Sequence, residues 1–377
     1  MAGTFRAISI IMGTIIGAGI FAIPYVIMKV GLTIGLIQIL LIALIMSTTF
    51  LYLGEIALRT KADHQLPGYA EKYLGKKGKV LMFISLLYGI NTAILAYLIG
   101  VGNSFSVLIF NNQDYVLHFG FIFWIFMSIL SYIGLKALKE GEFIGVSTAI
   151  IFILSLAAFS LDKINTNNIF LHNSPNILSY FAPFGVILFA FLGYSIVPEI
   201  KRVLKNNKNK MKRTILIAIS SCAIIYIIFS LIVVGTEGQN TPKIATIALG
   251  KPFIFLGIIT MFNAYFALSV ALIDIFQLDF KLSKIKSWLI TAIIPMSIFT
   301  ILSLTNNADF TKILGLGGII SGTLSSILIL SMIDKAKILG DRHPEYSMPT
   351  SRIVKYLLIS IFILGAITGL INFFSSL

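Results

Sequence analysis

The chain has 377 residues, of which 57% are hydrophobic and 12% are charged, and its formal net charge is +14. A soluble globular protein carries about twice that share of charged residues, so the composition excludes a soluble domain. The single cysteine, Cys222, excludes an intrachain disulfide. The sequence instead predicts an all-α polytopic membrane protein.

Eleven apolar runs have about the length that an α-helix needs to cross a hydrocarbon core, roughly 20 residues. We number them spans 1 to 11 in chain order. The loops between them are short, so we expect one membrane domain over residues 1–377. The runs cover residues 5–28, 32–58, 79–110, 119–135, 143–161, 177–199, 213–235, 252–278, 287–304, 312–333 and 353–375.

Lysine and arginine are distributed unevenly between the two sides of the predicted membrane. With a cytoplasmic N-terminus, 24 of the 29 lie in cytoplasmic segments and five lie outside. Because cytoplasmic loops are enriched in these residues, we expect a multi-pass protein of the cell membrane with its N-terminus inside and its C-terminus outside. The basic loop 201–213 is then interpreted as a topology signal beside anionic lipid, and not as a nucleic-acid site.

Spans 1 and 6 each carry a Gly-x4-Pro pattern inside an apolar run. An offset of 174 positions places Gly19 on Gly193 and Pro24 on Pro198. Glycine and proline weaken helices, and backbone groups freed in hydrocarbon are tolerated only inside protein or around a cavity. Broken helices at matching positions of two halves therefore predict the binding site of a transporter. The alternative is close helix packing at the glycines.

The two breaks divide the chain into two halves of five spans each. Because five is odd, the second half enters the membrane with the opposite polarity, as an inverted repeat requires. We expect the first repeat over residues 1–161, the second over 177–333, and an additional helix over 353–375. Two loops, 66–75 and 242–250, are predicted to form short helices on opposite faces of the bundle, with an ordinary interfacial turn as the alternative for 242–250.

Several motifs along the chain are similar to those of a known family. They are Gly13–Phe21 with Pro24-Tyr25, Leu66–Ala70, Ala96–Gly102, Pro183–Ala190, Val197–Glu199, Ala271-Leu272 and Leu278–Phe280. With them the chain resembles the amino acid/auxin permease family, in particular its prokaryotic aromatic amino acid permease-like branch, within the amino acid–polyamine–organocation superfamily. The resemblance implies eleven spans, a LeuT-like fold of five plus five helices with one extra helix, and secondary transport of amino acids.

The broken spans offer groups for both ends of an amino acid. A half-helix that begins near Gly19 presents N–H groups to a carboxylate, and the preceding half-helix ends in carbonyls that suit an ammonium group. The predicted carboxylate contacts are Ile16, Gly17, Ala18, Gly19 and Ile20. Phe189, Gly193, Tyr194 and Ser195 are predicted to meet the amino group and side chain. The wall candidates are Tyr88, Asn91 and Tyr97 in span 3, with Asn263 and Tyr265 in span 8; hydrogen bonding to a neighbouring helix is their alternative role.

Ionisable residues avoid the predicted middle of the core spans, which argues against a charged substrate. A wall rich in Phe and Tyr favours a neutral, large apolar amino acid, and the resemblance favours an aromatic one. Three carboxylates toward the cytoplasmic ends of spans 2, 6 and 8 are candidates for gating or coupling: Glu55, Glu199 and Asp274. A solvated helix end is the alternative reading of Glu199.

The coupling ion is predicted to be a proton, with sodium disfavoured. A sodium site of the implied fold can use a Thr-Ser pair on span 8, where this chain has Asn263-Ala264, which removes two hydroxyl ligands. No cofactor or resident metal is expected. A membrane amino acid sensor and a passive exchanger remain alternatives. A channel is disfavoured because the sequence has no continuous polar stripe along its spans. A membrane enzyme is disfavoured because the four histidines lie in loops or at a span edge: His64, His118, His172 and His343.

Overall fold

A computed structural model describes residues 2–134, 164–169 and 177–375. Within these ranges the chain is helical and contains no β-strand. Predicted span 5, residues 143–161, lies outside the described residues, as do Lys136 and Lys139. Nine described helices are long and apolar enough to cross a membrane, and a bent helix pair raises the number to ten. The multi-pass helical architecture is therefore confirmed, while the count of eleven stays a prediction.

The helices follow the predicted spans closely. Their bounds are Ala2–Ile15 and Gly19–Val30 in span 1, Leu32–Arg59 in span 2, Leu66–Phe110 including span 3, Val116–Ile133 in span 4, Ala182–Ala190 and Val197–Val203 in span 6, Met211–Glu237 in span 7, Lys251–Asp279 in span 8, Lys284–Leu304 in span 9, Phe310–Gly317 and Thr323–Leu339 in span 10, and Arg352–Ser375 in span 11.

Both predicted breaks are present. Span 1 bends by 59° between its two half-helices. Span 6 stops at Ala190 and resumes at Val197 after a 3₁₀ turn. The two prolines play different parts, because Pro198 lies at the start of its half-helix, where no N–H is needed, whereas Pro24 lies inside its half-helix.

The two predicted surface helices have different outcomes. A short helix begins at Leu66 and ends at Gly75, whose φ of +78° breaks it from span 3. Glycine adopts this backbone conformation without the steric cost that a side chain brings, so the helix predicted over 66–75 is confirmed. In the loop 242–250 the structure has only a single 3₁₀ turn, Ala245–Ile247, with Ala245 and Thr246 buried on the bundle.

Residues 340–351, which connect span 10 to span 11, form a non-helical segment that we call the strap. Glu55 of span 2 is wholly buried beside it. Its carboxylate accepts hydrogen bonds from Arg59 Nε at 2.8 Å and from the Met348 N–H at 2.7 Å, with Lys337 Nζ at 3.6 Å. Two further bonds join the strap to span 2, from the Tyr346 hydroxyl to Leu51 O at 2.7 Å and from the Tyr52 hydroxyl to Pro349 O at 3.0 Å.

Asp309 forms several bonds at the end of the bundle opposite to the strap, where span 10 begins. Its Oδ1 accepts from the Lys312 N–H at 2.9 Å and from Thr311 Oγ1 at 2.8 Å. Its Oδ2 accepts from Lys243 Nζ, in the loop after span 7, at 2.6 Å. Burial raises the pKa of Asp309, but the hydrogen bonds from Lys243, Lys312 and Thr311 outweigh it and hold the pKa below its ordinary value.

A lowered carboxyl pKa stabilises the fold above the ordinary value near 4 and ceases to do so as the pH falls through the folded-state pKa. Asp309→Asn removes the ion pair but keeps a good N-cap, whereas Asp309→Ala also removes the cap, which costs about 1 kcal/mol. We expect thermal unfolding in detergent at neutral pH to rank wild type above Asp309→Asn and Asp309→Asn above Asp309→Ala. The difference between wild type and Asp309→Asn should shrink on acidification toward about pH 3; a difference that grows would contradict this assignment.

Candidate functional site

A cavity lies where the two broken spans meet. Its empty space is about 730 Å³ when the open mouth is counted. Its lining comes from spans 1, 3, 6, 8 and 10. The lining residues are Thr14, Ile15, Gly17, Ala18, Gly19, Leu86, Gly89, Ile90, Ala93, Tyr97, Phe189, Ala190, Leu192, Gly193, Tyr194, Ser195, Leu268, Ser321 and Ser325.

The break in span 1 exposes backbone to this cavity. The Gly17 N–H turns back to Ile15 O at 3.0 Å, and the second half-helix starts at Gly19. N–H groups in the first turn of a helix have no partner within the helix, and the positive end of the dipole lies there. The first turn of the second half-helix, which starts at Gly19, therefore places donors beside the cavity, as a carboxylate requires.

The two breaks touch each other through glycines. A side chain added at Gly19 would come within 2.6 Å of the Ala190 Cα, and one added at Gly193 within 2.9 Å of Ile15 Cγ1. The first contact is with backbone, which cannot move aside as a flexible side chain can. Glycine at position 19 is thus what lets the half-helices of spans 1 and 6 approach.

Tyr97 of span 3 reaches the break in span 1. Its side chain is 4% exposed, and its hydroxyl lies 3.0 Å from where a Cβ of Gly17 would stand. The backbone of Ala18 lies beside the same hydroxyl. Tyr97 therefore orders the unwound backbone while it lines the cavity.

Tyr194 closes the cavity beneath the break in span 6. Its hydroxyl lies 2.8 Å from Ser326 Oγ and 3.1 Å from Met46 Sδ, and its ring centroid is 4.8 Å from that of Phe50. These contacts bridge spans 2, 6 and 10. Phe189, Gly193 and Ser195 complete the span 6 side of the lining.

The structure brings eight of the fourteen predicted binding residues to the cavity and places six elsewhere. Ile16 and Ile20 are buried next to the lining residues of span 1. Tyr88, Asn91 and Asn263 are half-buried, and Tyr265 is buried with its ring 5.2 Å from that of Phe123. Asn91 Nδ2 donates to Leu87 O at 2.8 Å, within its own helix.

The three carboxylates predicted for gating or coupling have different surroundings. Glu55 is the buried anchor of the strap. Glu199 is exposed and lies 3.9 Å from Arg202 Nη1, a distance typical of a weak surface pair. Asp274 is exposed on span 8. None of the three lines the cavity.

Span 10 contributes two hydroxyls that the sequence analysis did not identify, those of Ser321 and Ser325. Ser85 of span 3 donates to Ser321 O at 2.8 Å, and its Oγ lies 2.7 Å from Ser325 Oγ. A π-helical turn, Gly318–Gly322, interrupts span 10 here, and such turns are frequent at functional sites. Four glycines within positions 315–322 were the available signal.

The lining of the cavity is mainly apolar and carries no charge, with a few polar groups. Its lining contains hydroxyls, backbone groups, apolar side chains and two aromatic phenols, with no Asp, Glu, Lys, Arg or His among the described residues. No group of three or more potential metal-binding side chains occurs in the described part of the chain. The arrangement can hold a neutral solute with opposite partial charges at its two ends.

Comparison with known proteins agrees with this geometry. The crystal structure of MhsT in complex with L-phenylalanine superposes with a TM-score of 0.66 and 16% identity, over 98% of each chain. This likeness shows that the protein has a LeuT-like fold, as predicted.

Relatives with assigned functions are transporters. The tyrosine-specific transport system 1 of Haemophilus influenzae is 28% identical over 238 residues, which are 61% of this chain and 57% of that protein. The amino acid transporter AVT3A of Arabidopsis thaliana is 22% identical over 322 residues, 80% of this chain and 74% of that protein. The chain thus spans little more than half the length of the first of these relatives.

A family model gives the assignment directly. The model of the tryptophan/tyrosine permease family matches residues 1–251, a region that includes both broken spans and more than half of the chain. The protein therefore belongs to the tryptophan/tyrosine permease family.

Proposed function

We propose that the protein is a secondary transporter that moves a neutral amino acid, large and apolar or aromatic, across the cell membrane by alternating access. The observation that carries this proposal is the uncharged cavity at the meeting point of two broken helices. Half-helix starts supply donors to a carboxylate, and half-helix ends supply acceptors to an ammonium group. A zwitterion uses both in one site.

The lining supports an apolar or aromatic side chain. Leu86, Ile90, Leu268 and Phe189 all line the cavity, and apolar surfaces offer no partner for a charged side chain. A tyrosine transporter among the relatives and a structural neighbour with bound L-phenylalanine support the same substrate class. Tyr88, Asn91, Asn263 and Tyr265 join the site in this proposal only if a second conformation turns them toward it.

We further propose the orientation and the internal repeat expected from the sequence. The end of the bundle that carries the strap and the basic loops faces the cytoplasm, with the N-terminus inside and the C-terminus outside. Residues 1–161 and 177–333 form two repeats of opposite polarity, and 353–375 is an added helix. Movement between the repeats then exposes one site alternately to each side.

Proton symport is the proposed coupling, with passive exchange as the alternative. Asn263-Ala264 on span 8 offers fewer hydroxyl ligands than sodium favours. Against a proton path, the carboxylates of Glu55, Glu199 and Asp274 all lie away from the cavity. In this proposal one of these three carboxylates, near the cytoplasmic side, carries the proton.

The two break glycines are expected to be essential. Gly19→Leu and Gly193→Leu should each insert in the membrane but lose uptake in reconstituted liposomes, because the new side chains fill the meeting point of the breaks. Overpacking costs about 1–3 kcal/mol, and 1.4 kcal/mol corresponds to a factor of about ten, so we expect a loss of at least about fivefold. Gly3→Leu is the matched control, since a Cβ at Gly3 meets nothing within 4 Å. Normal uptake by either break variant would remove that glycine from the site.

Substrate class is tested by competition. Uptake of labelled phenylalanine by wild-type liposomes should be inhibited more strongly by unlabelled tyrosine, phenylalanine or leucine than by lysine or glutamate, because a buried uncharged wall disfavours an extra charge. Stronger inhibition by lysine or glutamate would overturn the assignment of a neutral substrate.

The coupling ion is tested with imposed gradients. An inward proton gradient should stimulate uptake, and an inward sodium gradient at constant pH should not. Stimulation by sodium alone refutes proton symport. Counterflow of labelled substrate that neither gradient affects would identify a passive exchanger.

A further inference from the structure

Tyr226 of span 7 lies behind the junction of the two broken spans. Its side chain is 0% exposed. Its hydroxyl oxygen lies 2.7 Å from Ala190 O and 3.1 Å from Ile15 O. Ile15 ends the first half-helix of span 1, and Ala190 ends the first half-helix of span 6. One hydroxyl therefore reaches the carbonyl ends of both half-helices.

These carbonyls need partners because of where they lie. The last carbonyls of a helix have no partner within the helix and carry the negative end of its dipole. An unpaired backbone group in hydrocarbon is strongly unfavourable. Ile15 O already accepts from the Gly17 N–H at 3.0 Å. The Tyr226 hydroxyl has one proton, and it lies closer to Ala190 O than to Ile15 O. The stronger hydrogen bond of Tyr226 is therefore the one to Ala190 O.

The surroundings hold the phenol in this position. The ring of Tyr226 packs edge-on against Phe191, with centroids 5.1 Å apart, and Phe191 is the first residue after the half-helix. Tyr226 does not line the cavity, whereas Ile15 and Ala190 do. It touches the site only through the backbone that forms the wall.

We propose that Tyr226 is a positioning residue that sets the two carbonyl ends relative to each other, so that the acceptors of the site fit the ammonium group of an amino acid. The inference rests on the proposed function. It assigns to a residue of span 7 the alignment of spans 1 and 6. It also predicts that the hydroxyl acts on recognition of the amino group and not on the amino acid side chain.

Tyr226→Phe removes one oxygen and leaves the buried ring in place. We expect the KM for phenylalanine uptake in liposomes to rise at least tenfold, while the maximal rate stays within about a factor of two. Discrimination between phenylalanine and 3-phenylpropanoate, which lacks the amino group, should fall by a similar factor in competition. Tyr73→Phe is the matched control, because the buried Tyr73 hydroxyl bonds to Thr60 Oγ1 at 2.6 Å, at the strap end of the bundle.

A second measurement tests binding even if Tyr226→Phe inserts poorly into liposomes. Thermal stabilisation of the purified variant in detergent by phenylalanine and by 3-phenylpropanoate reports binding by the folded fraction alone. Unchanged KM and unchanged discrimination would overturn the positioning role, and so would a variant that does not fold, since the hydroxyl would then be a general structural element. If wild type itself accumulates no neutral amino acid, the proposed function fails instead, which separates the two failures.

Discussion

The structure depends on one constraint, that backbone polar groups in the middle of a membrane must be satisfied by protein. Spans 1 and 6 both depart from regular helix, and their breaks pack against each other. The contact of Gly19 with Ala190 and the reach of Tyr226 to both half-helices are solutions to that single problem. The cavity lies where the backbone groups of the two breaks face each other, with no neighbouring helix among the described residues between them.

Local signals made the class and the breaks predictable. Helix length, composition and the Gly-x4-Pro pattern act within one span, so they can be read without knowing what lies beside it. The same is true of the short helix ended by Gly75, whose positive φ only glycine adopts at no steric cost. Gly17, Gly19 and Gly193 were identified on this basis, and all three line the cavity.

Rotation of a helix about its axis was harder to predict. Gly89, Ile90, Ala93 and Tyr97 recur at the spacing of one helix face and line the cavity. Asn91 lies one residue beyond Ile90, about 100° away on a helix with 3.6 residues per turn, and it faces elsewhere. Ser321 and Tyr226 were missed for a different reason. Their partners lie 36 to 236 positions away along the chain, and contacts over such separations leave no trace in sequence spacing.

The strap has a consequence for hydration. Glu55 receives bonds from span 2 through Arg59 and from the strap through Met348, and its side chain has no exposed surface. If span 2 separates from the strap, a buried carboxylate loses its partners, which is strongly unfavourable unless water replaces them. Separation and entry of water at this end are therefore coupled, and a dry, partly opened state is strongly disfavoured.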